Sequence, residues 1–282
     1  MGGFAHIGFL QCLAEKRLID CVDTWVGCSI GSLVAMMSAV GMTPSEMYTS
    51  CLKLNDSIFS FRDLSGLWEK KGLDDGEYFY AFMVDILVCK GFDPGLTFLQ
   101  LQRMTGKRLI VSATNLSTAE EIYLSPSTTP DEKILRAVRM SVGIPFLFTP
   151  VLLNGQLIVD GGVTENYPLE YAMHDLVRRK HSSDPLNSVL GCNLEAKPPK
   201  SIETLEEYLS ALVFCALRRP GAVSRLNSNS VRIYLDFDDT FDFSAPDHVR
   251  FRLRKCGYEE TQLYLQKHPR WLKTTTKKMK ID

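Results

Sequence analysis

The sequence lacks an excess of charge of either sign: 32 basic and 33 acidic residues leave a formal net charge of -1 over 282 residues. This excludes recruitment of DNA or RNA by the charge of the whole chain, so no nucleic-acid partner is expected and an anionic partner must be met by a local patch. Paired cysteine motifs are missing too. Cys12, Cys21, Cys28, Cys51, Cys89, Cys192, Cys215 and Cys256 form no C-x-x-C pair and no His/Cys cluster at zinc spacing. They read as reduced, mostly buried thiols of an intracellular protein. Met1-Gly2-Gly3-Phe4-Ala5-His6 has neither the basic start, the apolar run nor the small-residue cleavage site of a secretory signal. An intracellular location is therefore expected, cytoplasmic or peripheral to a membrane, and the glycosylation patterns at Asn55 and Asn115 carry no weight.

Long hydrophobic runs are equally scarce. Thr24 to Thr43 is free of charge over a length comparable with a bilayer span. Its central glycines and serines argue instead for a buried strand followed by a buried helix, which have the same hydropathy, so no transmembrane helix is expected.

What remains is 45% hydrophobic and 23% charged, enough for one substantial α/β domain or two small ones, of which one domain with a helical C-terminal appendage is expected. The stretch that organises it is Gly27-Cys28-Ser29-Ile30-Gly31, a G-x-S-x-G pattern preceded by Thr24-Trp25-Val26 and followed by Ser32-Leu33-Val34-Ala35-Met36-Met37. This reads as strand, sharp turn and helix. A serine in such a turn is held with Oγ exposed above the end of a sheet, and flanking glycines remove Cβ atoms that would clash. The helix starting at Ile30 directs its partial positive charge and free N–H groups toward the place where an oxyanion would develop.

Around the elbow, Phe4, Ile7, Leu10, Leu13, Ala14 and Leu18 predict an amphipathic helix from Gly3 to Leu18. Thr43-Pro44-Ser45-Glu46 opens a helix toward Leu54. Residues 55–76 read as a surface loop or cap whose Phe59, Phe61, Leu64, Leu67 and Trp68 pack beneath it in preference to facing lipid. Helices are expected over Glu77–Lys90 and Asp131–Ser141, and strands over Leu109–Thr114, Glu121–Leu124, Leu157–Val159, Ser188–Leu194 and Val231–Leu235. Ala196 to Lys200 is a linker, and Thr204 with Glu207 forms a capping box at the start of a further helix. Asp236, Asp238, Asp239 and Asp242 suggest calcium, but Phe241 stands where the loop needs glycine and no glutamate closes it; an acidic turn is expected. From Lys267 the tail carries Arg270, Lys273, Lys277, Lys278 and Lys280 with Trp271 and Leu272, which reads as a solvated terminus in preference to an anchor on anionic lipid.

A serine hydroxyl needs a base to take its proton. His6, His174, His181, His248 and His268 are candidates, and the order Ser29, Asp160, His174 matches an α/β-hydrolase triad. His174 falls inside an expected helix, however, and none of the five is bounded like a catalytic loop. Asp160 is favoured: it ends a buried strand and is followed by Gly161-Gly162, which lets the chain turn away while the carboxylate reaches across the sheet top. An ordinary aspartate titrates near pH 4, so this role needs desolvation to raise it.

These features resemble the patatin-like phospholipase family, in which a serine-aspartate dyad combines a G-x-S-x-G elbow with a D-G-G/A turn. The similarity extends to Gly3-Phe-Ala-His-Ile-Gly8, Ala113-Thr-Asn-Leu116, Ala137-Val-Arg-Met-Ser141 leading to Ile144-Pro-Phe146, and Val163-Thr-Glu-Asn-Tyr-Pro168, and so spans Gly3 to about Leu194. It implies a three-layer α/β/α fold with a mainly parallel central sheet and a helical C-terminal extension, residues 1–195 forming the catalytic domain and 196–282 a C-terminal helical region packed on it. It also implies a lipid acyl hydrolase of the phospholipase A type, with Ser29 as nucleophile, Asp160 as base, Gly27, Gly31, Gly161 and Gly162 shaping the motifs, a phospholipid or other lipid ester as substrate, peripheral membrane contact, and no metal or organic cofactor. Pro145, Asn166 and Pro168 are expected to shape turns.

One departure stands out. Members of the family begin with a strand and a Gly-Gly-Gly-x-Arg/Lys-Gly oxyanion loop, whereas here Gly3 falls on the last glycine, Gly2 on the basic position, and the leading glycines are absent. Three readings stay open: an incomplete start, which is favoured; a lipid- or protein-binding module without turnover; and an enzyme whose oxyanion hole is rebuilt from Gly2, Gly3 and the Ile30 N–H.

Overall fold

The computed structural model describes residues 2–54, 69–180, 184–199, 201–204, 207–208, 211–212, 214–215, 227–236 and 245–272. In chain order its first half contains helix α1 (Gly3–Glu15), strand β1 (Thr24–Cys28), helices α2 (Ile30–Ala39) and α3 (Pro44–Cys51), strand β2 (Gly72–Asp74), helices α4 (Glu77–Cys89) and α5 (Phe98–Thr105), and strands β3 (Arg108–Asn115) and β4 (Glu120–Leu124). Then follow helix α6 (Ile134–Ser141), strands β5 (Phe146–Phe148), β6 (Val151–Leu153) and β7 (Gln156–Asp160), helix α7 (Leu169–Arg178), strands β8 (Gly191–Ala196) and β9 (Ser230–Leu235), and helix α8 (Asp247–Lys267). The fold is mixed α/β.

The chain divides into two units. The first, Asp23–Asn166 with Pro198–Arg219, is built on a five-stranded sheet in the order β1-β3-β7-β6, with β4 also paired to β3. All eight residues of β3 are buried. Successive side chains of a strand point to opposite faces, so both faces of β3 are covered; α2, α5 and α6 pack against it. The sheet is mixed in detail: β1 pairs with β3 in parallel, while β4 and β7 pair with it antiparallel. Thr24 to Thr43 resolves into β1, the elbow and the ten-residue helix α2, and among the described residues no helix is long and apolar enough to cross a membrane. At the start of α3 the Thr43 Oγ1 accepts the Glu46 N–H (3.2 Å) and Glu46 accepts the Thr43 N–H (2.7 Å), the expected reciprocal cap.

The second unit comprises Met1–Val22, Tyr167–Lys197 and Pro220–Asp282. Here β8 and β9 pair in parallel from Gly191↔Ser230 to Ala196↔Leu235, α1 packs on β8, and α8 packs on β9 and α1. The amphipathic reading of α1 is corrected: eight of its 13 residues are buried, including Phe4, Ala5, Ile7, Gly8 and Phe9, and the charged Lys16 and Arg17 fall beyond its end. The second covered face belongs to the approach of α8. A Cβ on Gly8 would lie 1.9 Å from the Arg254 carbonyl oxygen and one on Gly257 2.0 Å from that of Ala5, so neither helix has room for a methyl group at the crossing. Trp271, read as part of a basic tail, is buried here, its Nε1 donating to the Tyr264 hydroxyl at 3.2 Å. Residues 273–282 of that tail, the aromatic segment with Phe59, Phe61, Leu64, Leu67 and Trp68, and the acidic turn beyond Asp236 lie outside the described residues. Thr204 and Glu207 make the expected capping box, with the Glu207 N–H donating to Thr204 Oγ1 at 3.1 Å and the Thr204 N–H to the Glu207 carboxylate at 2.9 Å.

Candidate active site

Strand pairing brings the two candidate groups together. Residues 111 and 112 of β3 pair with both β1 and β4, and residues 113–115 with both β4 and β7. A strand has only two edges, so β1 and β7 lie end to end along the same one. Because β1 is parallel and β7 antiparallel to β3, their C-terminal ends converge: Cys28 is in register with Ser112, and Asp160 with the next residue, Ala113. The turns that leave the two strands start at neighbouring points.

At the first turn Ser29 has φ 51° and ψ -132°, a conformation non-glycine residues rarely adopt and one that collects at functional sites. The bend needs its glycines: a Cβ on Gly27 would lie 2.4 Å from the Gly31 carbonyl oxygen and 2.5 Å from Ser32 Cα. The Ser29 carbonyl accepts from Ser32 N (2.8 Å) and Ser32 Oγ (2.6 Å), and the Ser29 N–H donates to Ser141 Oγ at 3.0 Å. The first-turn N–H groups of α2 have no partner within the helix and carry its positive dipole end.

At the second turn Asp160 is fully buried. Its Oδ2 accepts from Ser29 Oγ at 2.6 Å, its Oδ1 from the Gly162 N–H at 2.8 Å, and its own N–H donates to the Gly143 carbonyl at 2.9 Å. Burial pushes its carboxyl up to about 7, and the bonds from Ser29 and Gly162 pull only partly the other way. A Cβ on Gly161 would meet Ser112 Oγ at 2.7 Å, so this turn too is built for glycine. Beneath it the Thr114 and Thr164 hydroxyls bond each other at 2.8 Å and reach the Gly161 carbonyl at 3.3 and 3.4 Å.

The arrangement can move a proton from a hydroxyl to a desolvated carboxylate. Cys28, next to the elbow, cannot replace the serine: burial, followed by the charge of Asp160, raises its thiol well above the ordinary range, and Sγ is directed to the Glu165 carbonyl at 3.5 Å. Among the described residues no group of three or more His, Cys, Asp or Glu side chains is placed to hold a metal ion.

Of the residues singled out in the sequence, Ser29, Ile30, Asp160 and the motif glycines Gly27, Gly31, Gly161 and Gly162 gather at this point. Gly2 and Gly3 lie in the other unit at the start of α1, where the Gly2 carbonyl accepts the Ala5 N–H at 3.0 Å. His6, His174 and His248 lie on α1, α7 and α8, His268 follows α8, and His181 is outside the described residues; the hydroxyl of Ser29 bonds to Asp160. Ser141, Gly143, Thr114 and Thr164 were not singled out for the site. The sequence signal at Ser141, Thr114 and Thr164 is their place in the segments that carry the family resemblance, and Gly143 stands in the Gly143-Ile144-Pro145 break that ends the helix before it.

A patatin-like phospholipase family model matches residues 1–173, more than half of the chain, and the protein belongs to that family. The chain is 32% identical over 187 residues to "Probable lipid hydrolase 463L" of Invertebrate iridescent virus 6, a match covering 64% of each protein. It is also 27% identical over 289 residues to the uncharacterized protein YqhO of Bacillus subtilis, covering 94% of each. Among solved structures, VipD from Legionella pneumophila shares the fold with a TM-score of 0.60 at 20% identity, over 95% of this chain and 65% of that one. The chain thus spans just under two thirds of the iridescent virus protein and of VipD.

Proposed function

We propose that the protein is a lipid acyl hydrolase of the phospholipase A type that works through a Ser29 acyl-enzyme. The observation that carries this reading is the 2.6 Å bond from Ser29 Oγ to Asp160 Oδ2 at the meeting point of two strand ends, in a chain of the patatin-like phospholipase family. Ser29 Oγ attacks the acyl carbonyl of a lipid ester while its proton passes to Asp160. The Ile30 N–H, first in α2, donates to the oxyanion that forms. Asp160 returns the proton to the leaving alcohol, and water, activated by the same carboxylate, then releases the fatty acid.

A carboxyl held near pH 7 sets the pH dependence. Only the carboxylate accepts the serine proton, so kcat/KM rises with pH through a midpoint near 7, the value to which Asp160 is pushed. The sign follows from burial, which favours the neutral acid and disables the base below that pH. Fatty-acid release from phosphatidylcholine vesicles, measured against pH for the wild-type protein and Ser29→Ala, tests the reading. Release that Ser29→Ala retains, or a rate unchanged from about pH 5 to about pH 9, contradicts it.

A further inference from the structure

Helix α6 ends at Ser141, a fully buried residue whose Oγ accepts the backbone N–H of Ser29 at 3.0 Å. Two residues on, the Gly143 carbonyl accepts the backbone N–H of Asp160 at 2.9 Å. One short segment therefore ties down the main chains of both members of the dyad, which are 131 residues apart in sequence. These ties are independent of the side-chain bond between them.

We propose that Ser141 is a positioning residue for acyl transfer, its Oγ holding the Ser29 main chain in the left-handed turn that aims the serine hydroxyl at Asp160. The inference rests on the hydrolase reading above. Ser29 sits at φ 51°, a conformation that persists only where its surroundings over-determine it. Its carbonyl is already held by Ser32; its N–H is held by Ser141. Without that oxygen the part-buried N–H loses its acceptor. The peptide is then free to rotate toward negative φ, which swings the Cα–Cβ bond of Ser29 away from the carboxylate. Ser141 touches neither proton nor substrate in this scheme, and its effect runs entirely through where Oγ of Ser29 stands.

The test compares Ser141→Ala, Ser141→Thr and Ser38→Ala in the full chain. Ser38 is a buried serine of α2 whose hydroxyl bonds the Val34 carbonyl at 2.9 Å, so its loss reports what deletion of a buried hydroxyl does to stability alone. Ser141→Ala is expected to lower kcat for fatty-acid release about 10²-fold with KM within about twofold of wild type. Labelling of Ser29 by a fluorophosphonate slows in parallel. The midpoint of the pH profile stays in place, since the burial of Asp160 is untouched, and Ser141→Thr, which keeps the acceptor, recovers most of the rate. Ser38→Ala lowers Tm and leaves kcat at the wild-type value. Should Ser141→Ala fail to fold, Ser141→Cys, with a weak acceptor in nearly the same space, carries the same comparison. An active wild-type protein with Ser141→Ala at wild-type kcat, or with only KM changed, overturns this inference alone. Equal inactivity of the wild type and Ser29→Ala overturns the hydrolase reading and this inference with it.

Discussion

Ser29→Ala lowers fatty-acid release by at least about 10⁴-fold, the scale on which removing a serine nucleophile acts when its partners remain. The size follows from the partners of the carboxylate among the described residues, none of which replaces the serine. Asp160 Oδ2 accepts from Ser29 Oγ and Oδ1 from the Gly162 N–H, and the adjacent Cys28 thiol is buried, neutral and turned to a backbone carbonyl. The fold survives the change, because alanine occupies the turn with less bulk and the Ser29 backbone keeps its bonds to Ser32 and Ser141. Steady-state rates for the two proteins at equal helix content and Tm measure the effect.

Asp160→Asn is expected to cost about 10⁴-fold in kcat, comparable with the loss when an essential carboxylate is replaced by its amide, and to leave the protein no less stable. The amide oxygen can still accept the Gly162 N–H, and the NH₂ group can donate to Ser29 Oγ, reversing the sense of that bond. The serine then has no group to take its proton. Stability moves the other way. Burial raises the folded carboxyl to about 7, so the stability provided by the protonated acid is complete below the ordinary value near 4 and is lost as pH rises toward 7. Asparagine has no charge to desolvate. At pH 8 its Tm should therefore equal or exceed that of the wild type, a gain in stability against function common at active sites. A large fall in Tm, or activity within about tenfold of wild type, contradicts this account of Asp160.

The parts of the site legible in the sequence are those written in a few consecutive residues. The elbow is one, since G-x-S-x-G between a β-favouring run and an apolar helix leaves little choice of geometry. Asp160 is another, at the end of a buried strand before two glycines. What brings them together is not local. That β1 and β7 share one edge of β3, with Cys28 and Asp160 at adjacent register positions, depends on pairings between segments far apart in sequence. Strands β2, β5 and β6 have three residues each, too few to show alternation. The burial of α1 escaped for the same reason as the pairing: its second apolar face is covered by α8, whose contact residues Arg254 and Gly257 lie more than 240 positions away. Ser141 and Gly143 act through one oxygen atom each, and a serine at a helix end has many ordinary uses. Their role shows only when the elbow is seen resting on them.

The most direct test of the central claim is the site of covalent modification by a fluorophosphonate, read by intact mass and peptide mapping. The serine-aspartate account predicts one adduct per chain, on Ser29, forming faster as pH rises through about 7, absent from Ser29→Ala and strongly slowed in Asp160→Asn. A protein that releases fatty acid but carries its adduct on another residue, or labels Ser29 equally fast with asparagine at position 160, would contradict it.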